Sequence, residues 1–112
     1  MQILPREILH YTTPSGNNPY RRWYTQIKDQ AAQIAISNRI SRIRSGNFGD
    51  YKRLSKDLYE LRIHYGPGYR VYFGVFQSDI VILLCGGTKG TQQRDIRRAQ
   101  NYWNDFLDRM KE

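Results

Sequence analysis

The stretch ELRIHYGPGYRVYFGVF, Glu60–Phe76, alternates apolar and polar side chains on both sides of Gly66-Pro67-Gly68. That alternation is the period of a half-buried strand, and two such runs around a tight turn predict a β-hairpin. Tyr59, Leu61, Ile63, Val71, Phe73 and Val75 fall on one face; Glu60, Arg62, His64, Arg70 and Tyr72 fall on the other. If Tyr65 and Tyr69 close the turn as partners, Ile63 pairs with Val71, Leu61 with Phe73, His64 with Arg70 and Arg62 with Tyr72. The odd face then needs an apolar layer above it, while the even face presents cations, a histidine and a phenol close to one turn.

Working outward, Gln77-Ser78-Asp79 makes the next turn, and Ile80–Cys85 reads as a buried central strand ending at Gly86-Gly87. Thr91 is placed to cap a C-terminal helix with the apolar stripe Ile96, Ala99, Trp103, Phe106, Leu107 and Met110. Such a stripe packs on the sheet or takes a partner. Upstream, Gly46 ends a helical segment carrying two stripes: Tyr20, Trp23, Tyr24 and Ile27, then Ala32, Ala35, Ile36, Ile40 and Ile43. The stripes lose phase across Asp29 and Gln30, which allows one bent helix or two joined tightly. Asn18 can cap the first turn with Pro19 as its first residue. Before the Thr13–Pro19 loop, Glu7–Thr12 suits a strand, extended by Ile3 and Leu4, with Pro5 marking an edge or bulge. The expectation is a single α+β domain over residues 1–112. An N-terminal strand and helical pair precede a mostly antiparallel four-stranded sheet and a C-terminal helix.

Eighteen basic against ten acidic residues leave a net charge of +8, which favours an acidic partner such as nucleic acid. Nine tyrosines and two tryptophans supply more ring area than a small core needs, so some should lie at a surface. A single cysteine, Cys85, rules out an internal disulfide, and two histidines beside it make a structural zinc site a poor fit. No cofactor or metal is expected. No run reaches membrane-spanning length, so a cytoplasmic protein with no membrane partner is expected. CGGTKGT, Cys85–Thr91, lacks the order of a nucleotide-binding loop, and no carboxylate pair suits glycosidase or two-metal chemistry.

The even face of the hairpin is the candidate site. Lys52, Arg53 and Lys56 precede it and Lys89 follows the next strand, so several basic segments can meet on one face. With Tyr72 as a stacking ring, such a surface suits single-stranded RNA. RNA carries its own nucleophile in the 2′-hydroxyl, so cleavage needs phosphate positioning, charge stabilisation and proton transfer. Arg70 is the first choice for the charge, with Arg62 and Lys89 sharing it. His64 is the candidate acid or base, because its ordinary pKa lies near neutrality. Cys85, at the end of an apolar strand, reads as inert core, and His10 has no constellation around it.

NFGDYKRLSKDLYELRIHYGPGYRVYFG, Asn47–Gly74, and LLCGGTKGTQQRDIRRAQNYW, Leu83–Trp103, resemble the RelE/ParE superfamily of toxins. The nearest branch is the HigB-like group labelled addiction-module killer proteins, and TTPSGNNPYRRWYTQI, Thr12–Ile27, is similar to it as well. The resemblance implies the toxin of a type II toxin–antitoxin system, and most HigB-like members cut mRNA on the ribosome without a metal. It implies an antitoxin partner carrying a helix-turn-helix domain, with operator DNA bound only through that complex. It carries Arg70 onto the family's phosphate-contacting arginine and Lys89 near the basic position after the last strand. Lys52 and Arg53 fall where relatives carry basic groups. The catalytic tyrosine of the best-studied RelE-like enzymes has no counterpart here: the first tyrosine after Lys89 is Tyr102, well inside the last helix. The same fold also serves ParE-like gyrase inhibitors, and a non-catalytic binding module is a third reading.

Overall fold

The computed structural model describes residues 7–111. In chain order the elements are β1 (Glu7–His10), α1 (Pro19–Thr25), α2 (Gln30–Arg44), β2 (Tyr51–Ser55), β3 (Leu58–Ile63), β4 (Tyr69–Phe76), β5 (Ile80–Thr88), a short 3₁₀ turn (Lys89–Thr91) and α3 (Gln92–Arg109). The sheet has five strands rather than four, in the order β1-β5-β4-β3-β2. β1 runs parallel to β5 and every other pair is antiparallel. The additional strand is β2, whose burial is slight along its length and whose sequence therefore shows little apolar alternation. Ile3, Leu4 and Pro5, expected to extend the first strand, lie outside the described residues.

The helical segment is two helices. Asp29 starts α2 by accepting the amides of Ala31 at 2.9 Å and Ala32 at 3.3 Å, which resolves the loss of phase in the sequence. Asn18 caps α1 as expected, taking the Arg21 amide at 3.0 Å, with Pro19 following it. The chain leaves α2 at Gly46, whose amide reaches the Ile43 carbonyl at 2.8 Å. Thr91 does not cap α3. Its hydroxyl instead bonds the Asp95 carboxylate and accepts the Thr88 amide at 3.2 Å.

Both faces of the sheet are covered. Tyr20, Ile36 and Ile43 of the helical pair pack with Tyr59, Leu61, Ile63, Val71 and Phe73 on one side. Ala99 and Trp103 of α3 pack with Leu58, Tyr72, Ile82, Leu84 and Cys85 on the other. The apolar stripe from Ile96 to Leu107 is thus spent on the sheet, while Met110, past the end of α3, is exposed; the two layers account for the unbroken burial of β5 from Val81 to Gly87. A bulge opposite Tyr72 and Phe73 pairs Tyr72 with Cys85 but Phe73 with Leu83. Leu84 and Cys85 consequently both face α3, and the facing of Gly86 and Gly87 is inverted relative to a regular strand.

Gly74 marks the closest approach of α3. A β-carbon there would lie 2.3 Å from the Trp103 ring, against a buried indole that has no room to retreat. Gly74→Ala is expected to cost about 1–3 kcal/mol through overpacking, read as a lower urea midpoint with an unchanged slope.

The hairpin register differs from the expected one by two residues. Ile63 pairs with Tyr69, Arg62 with Arg70, Leu61 with Val71, Glu60 with Tyr72 and Tyr59 with Phe73. The cause is local: the Tyr65 amide bonds back to the Ile63 carbonyl at 2.9 Å and turns the chain out of the ladder at His64. A slip of two keeps every side chain on its face, so the division into an apolar and a polar face holds while the partners change.

Candidate functional site

On the α3 side, β3 and β4 place Glu60, Arg62, Arg70 and Tyr72 in one cluster. Glu60 is at its centre, and its side chain is 0% exposed. Its Oε1 accepts from Arg62 Nε at 3.0 Å and from Arg70 Nη1 at 2.8 Å. Its Oε2 accepts from the Tyr72 hydroxyl at 3.2 Å and from Gln92 Nε2 at 2.9 Å. Four donors from three elements thus converge on one carboxylate. Burial by itself would raise its pKa. The hydrogen bonds of Gln92, Arg62 and Tyr72 and the charge of Arg70 outweigh that, holding the carboxyl below its ordinary range.

Glu60 is the anchor of the cluster, and Gln92, from the first turn of α3, is its fourth ligand. Neither was legible as such, because their meeting depends on α3 lying across the sheet. The one local signal was Glu60-x-Arg62 on the same strand face.

A carboxyl with a depressed folded pKa contributes stability above its unfolded pKa, about 4.3. That contribution is lost as pH falls through the folded value. Unfolding free energy is expected to hold from neutrality to about pH 5 on this account and to fall below it. Urea titrations at stepped pH check this, and the acid slope should be shallower in Glu60→Gln.

The guanidiniums differ in freedom. Arg70 has a side chain 13% exposed, with Nη1 on Glu60 and a buried Nε that has no acceptor among the described residues. Arg62 is 32% exposed. One hand of each holds Glu60, leaving the rest of each fork for an anion. Lys89 is exposed beside the hairpin tip, where its amide bonds the Gly68 carbonyl at 2.8 Å. Lys52 pairs with Glu60 across β2 and β3, which puts it on the same sheet face. Lys52, Arg62, Arg70, Lys89 and Gln92 are thus brought to one side of the molecule.

Other expected members are not. Tyr72 is 0% exposed, under α3, so its ring has no free face for a base, and burial followed by Glu60's charge raises its pKa. Arg53 pairs with Tyr59 and lies on the opposite sheet face. Lys56 sits in the β2–β3 turn, at the far end of β3 from Arg62. His64 is not opposite Arg70, since Arg62 takes that place. It stands past the end of β3, 76% exposed, and bonds Asp50 through Nε2. That bond, chiefly, lowers the Asp50 pKa. Cys85 is buried, and burial pushes its thiol up to about 12, which suits inert core. Arg39, on α2, is committed to structure: it donates to the carbonyls of Arg62, Phe48 and Asp50. Among the described residues no group of three His, Cys, Asp or Glu side chains is placed to hold a metal ion. None of their helices is long and apolar enough to cross a membrane.

No protein-family model matches the chain. A 78-residue stretch, 70% of the chain, is 46% identical to a Haemophilus influenzae protein and spans 79% of it. The two proteins belong to one family. That relative's own name, "Uncharacterized protein", assigns no activity, and the chemistry of the site rests on its geometry.

Proposed function

We propose that the chain is the toxin of a type II toxin–antitoxin pair of the RelE/ParE superfamily, HigB-like branch, and that it cleaves mRNA on the ribosome. The observation that carries this reading is the pair of guanidiniums, Arg62 and Arg70, set side by side on a fully buried carboxylate and each still partly exposed. Two cations held in fixed positions suit a phosphodiester whose oxygens gain charge as it is attacked, since preorganised donors need no rearrangement during the reaction. Lys89 and Lys52 extend the positive surface for the neighbouring phosphates.

In this mechanism the 2′-hydroxyl of the substrate attacks the adjacent phosphorus and the 5′-oxygen leaves. Arg70 and Arg62 stabilise the phosphate oxygens. Glu60 is a positioning residue and not the base: its lone pairs are all engaged and its proton affinity is low. Tyr72, sealed under α3, does not reach solvent. His64, bonded to Asp50 past the end of β3, stands away from the groups that hold the phosphate, so the 2′-hydroxyl gives its proton to water and the leaving 5′-oxygen takes one from water. The antitoxin neutralises the toxin as an acidic or covering partner, and operator DNA is met only through that complex.

The test is to map mRNA 5′ ends after brief induction, beside an uninduced control. New ends at ribosome-protected positions are expected. Intact mRNA with arrested DNA supercoiling would replace this reading with gyrase inhibition, and neither effect would leave a binding module.

A further inference from the structure

On the other flank of α3 from Glu60, a cleft of about 620 Å³ opens between α1 and α3, floored by the end of β5. This volume is within the roughly 300–1,000 Å³ of small-ligand sites. Arg22 and Trp23 form the α1 wall. Arg94, Arg98 and Tyr102, spaced four apart, form the α3 wall. Trp23 lies flat on the floor because Gly86 has no side chain: a β-carbon there would be 2.2 Å from the indole. Tyr102 is held by stacking on Tyr11, with ring centroids 5.0 Å apart.

Most of these charges are uncompensated. Among the described residues neither Arg22 nor Arg98 has an ion pair, and Arg94 has only Asp95, its Nε 3.6 Å from the carboxylate. That carboxylate is buried and already bonded by Thr91. Three guanidiniums gathered around one cleft repel one another, and an anionic occupant relieves that repulsion. The cleft also adjoins the first turn of α3, on the way to Glu60 and Arg70. Thr91 and Arg94 line both it and a depression formed with Lys89, Gln92 and Arg97, and Gln92 in turn holds Glu60.

We infer that this cleft is a nucleotide subsite for single-stranded RNA that passes from Arg70 around the first turn of α3. Its phosphates lie on Arg22, Arg94 and Arg98, and one base lies against Trp23 or Tyr102. Guanidiniums set among aromatic rings in one cleft match a single strand, with phosphates for the cations and planar bases for the rings, better than an acidic peptide, which offers the rings no planar partner. The inference rests on the RNA substrate proposed above.

The test uses the full chain, fluorescently labelled 2′-O-methyl oligonucleotides of three and eight residues, and an Arg22→Gln/Arg98→Gln double variant. Both positions are exposed, so the thermal midpoint should be unchanged. For the octamer, the double variant should bind about tenfold or more weakly, with a salt slope reduced by about 1.4, as expected for two phosphates on a single strand. The trinucleotide should bind both proteins alike, and Trp23 emission should be quenched by the octamer only. Equal octamer affinity and salt slope in the two proteins would overturn the subsite. So would loss confined to an octaglutamate peptide. Octamer binding lost in the variant, with no mRNA cut by the wild type, would refute the cleavage reading and leave the subsite standing.

Discussion

Glu60→Gln is expected to lower the unfolding free energy by about 3–5 kcal/mol, the cost of breaking a buried ion pair from one side. The magnitude follows from what surrounds the carboxylate. Arg62, Arg70, Tyr72 and Gln92 all donate to it, two at each oxygen. A glutamine amide brings its own two donors, so in either orientation it sets N–H groups against N–H groups in a site closed to water. It also removes the negative charge that pairs with Arg70, whose side chain is largely buried. Urea unfolding should show the loss in the midpoint with the slope retained. A change under about 1 kcal/mol would mean that the four bonds are not the clamp described here.

Arg70→Ala is expected to cut mRNA cleavage by about 10²–10³-fold, the usual cost of losing one preorganised transition-state donor. Arg70→Lys should recover little of it. A lysine brings a single point of charge on a flexible stem, so it cannot hold Glu60 with one nitrogen and a phosphate with another. Because Arg70 also neutralises Glu60, the alanine variant loses stability as well as activity, and rates must be compared at a temperature where circular dichroism shows it folded. Single-turnover cleavage of a ribosome-bound message separates the two effects: the folded variant should bind the message and cut it slowly. Wild-type cleavage by folded Arg70→Ala would remove this residue from the chemistry.

Much of the fold was legible because local signals agreed. Asn18-Pro19 at a helix start, Gly46 at a helix end and the alternation of Leu61, Ile63, Val71 and Phe73 each report on neighbours within a few residues. β2 was missed for the opposite reason. It is an edge strand with exposed Tyr51, Lys52 and Arg53, and its strand identity comes from hydrogen bonds to β3 rather than from a buried face. The bulge at Leu84 was equally silent, since Leu84 and Cys85 are both apolar and fit either facing.

The candidate site was half legible. Arg62 and Arg70 share a face by parity alone, and parity survives a slip of two. Tyr72 has the same parity, yet it is core, because α3 covers β4 and stops short of Lys52; coverage by a helix that begins only at Gln92 cannot be read from alternation. His64 depended on the exact register, and one amide turning back to Ile63 moved it from Arg70 to Asp50.

By itself, then, the sequence determined the helical segments, the strands β1, β3, β4 and β5 and which side of the hairpin is polar, because those are contests between adjacent side chains and water. Only the tertiary structure decided which polar residues stay in water. Glu60 became a buried anchor and Tyr72 core, while Arg62 and Arg70 kept part of each guanidinium free. The physical reason is that burial of a charge is settled by what is laid over it and by whether enough donors arrive with that cover, and Gln92 arrives with α3.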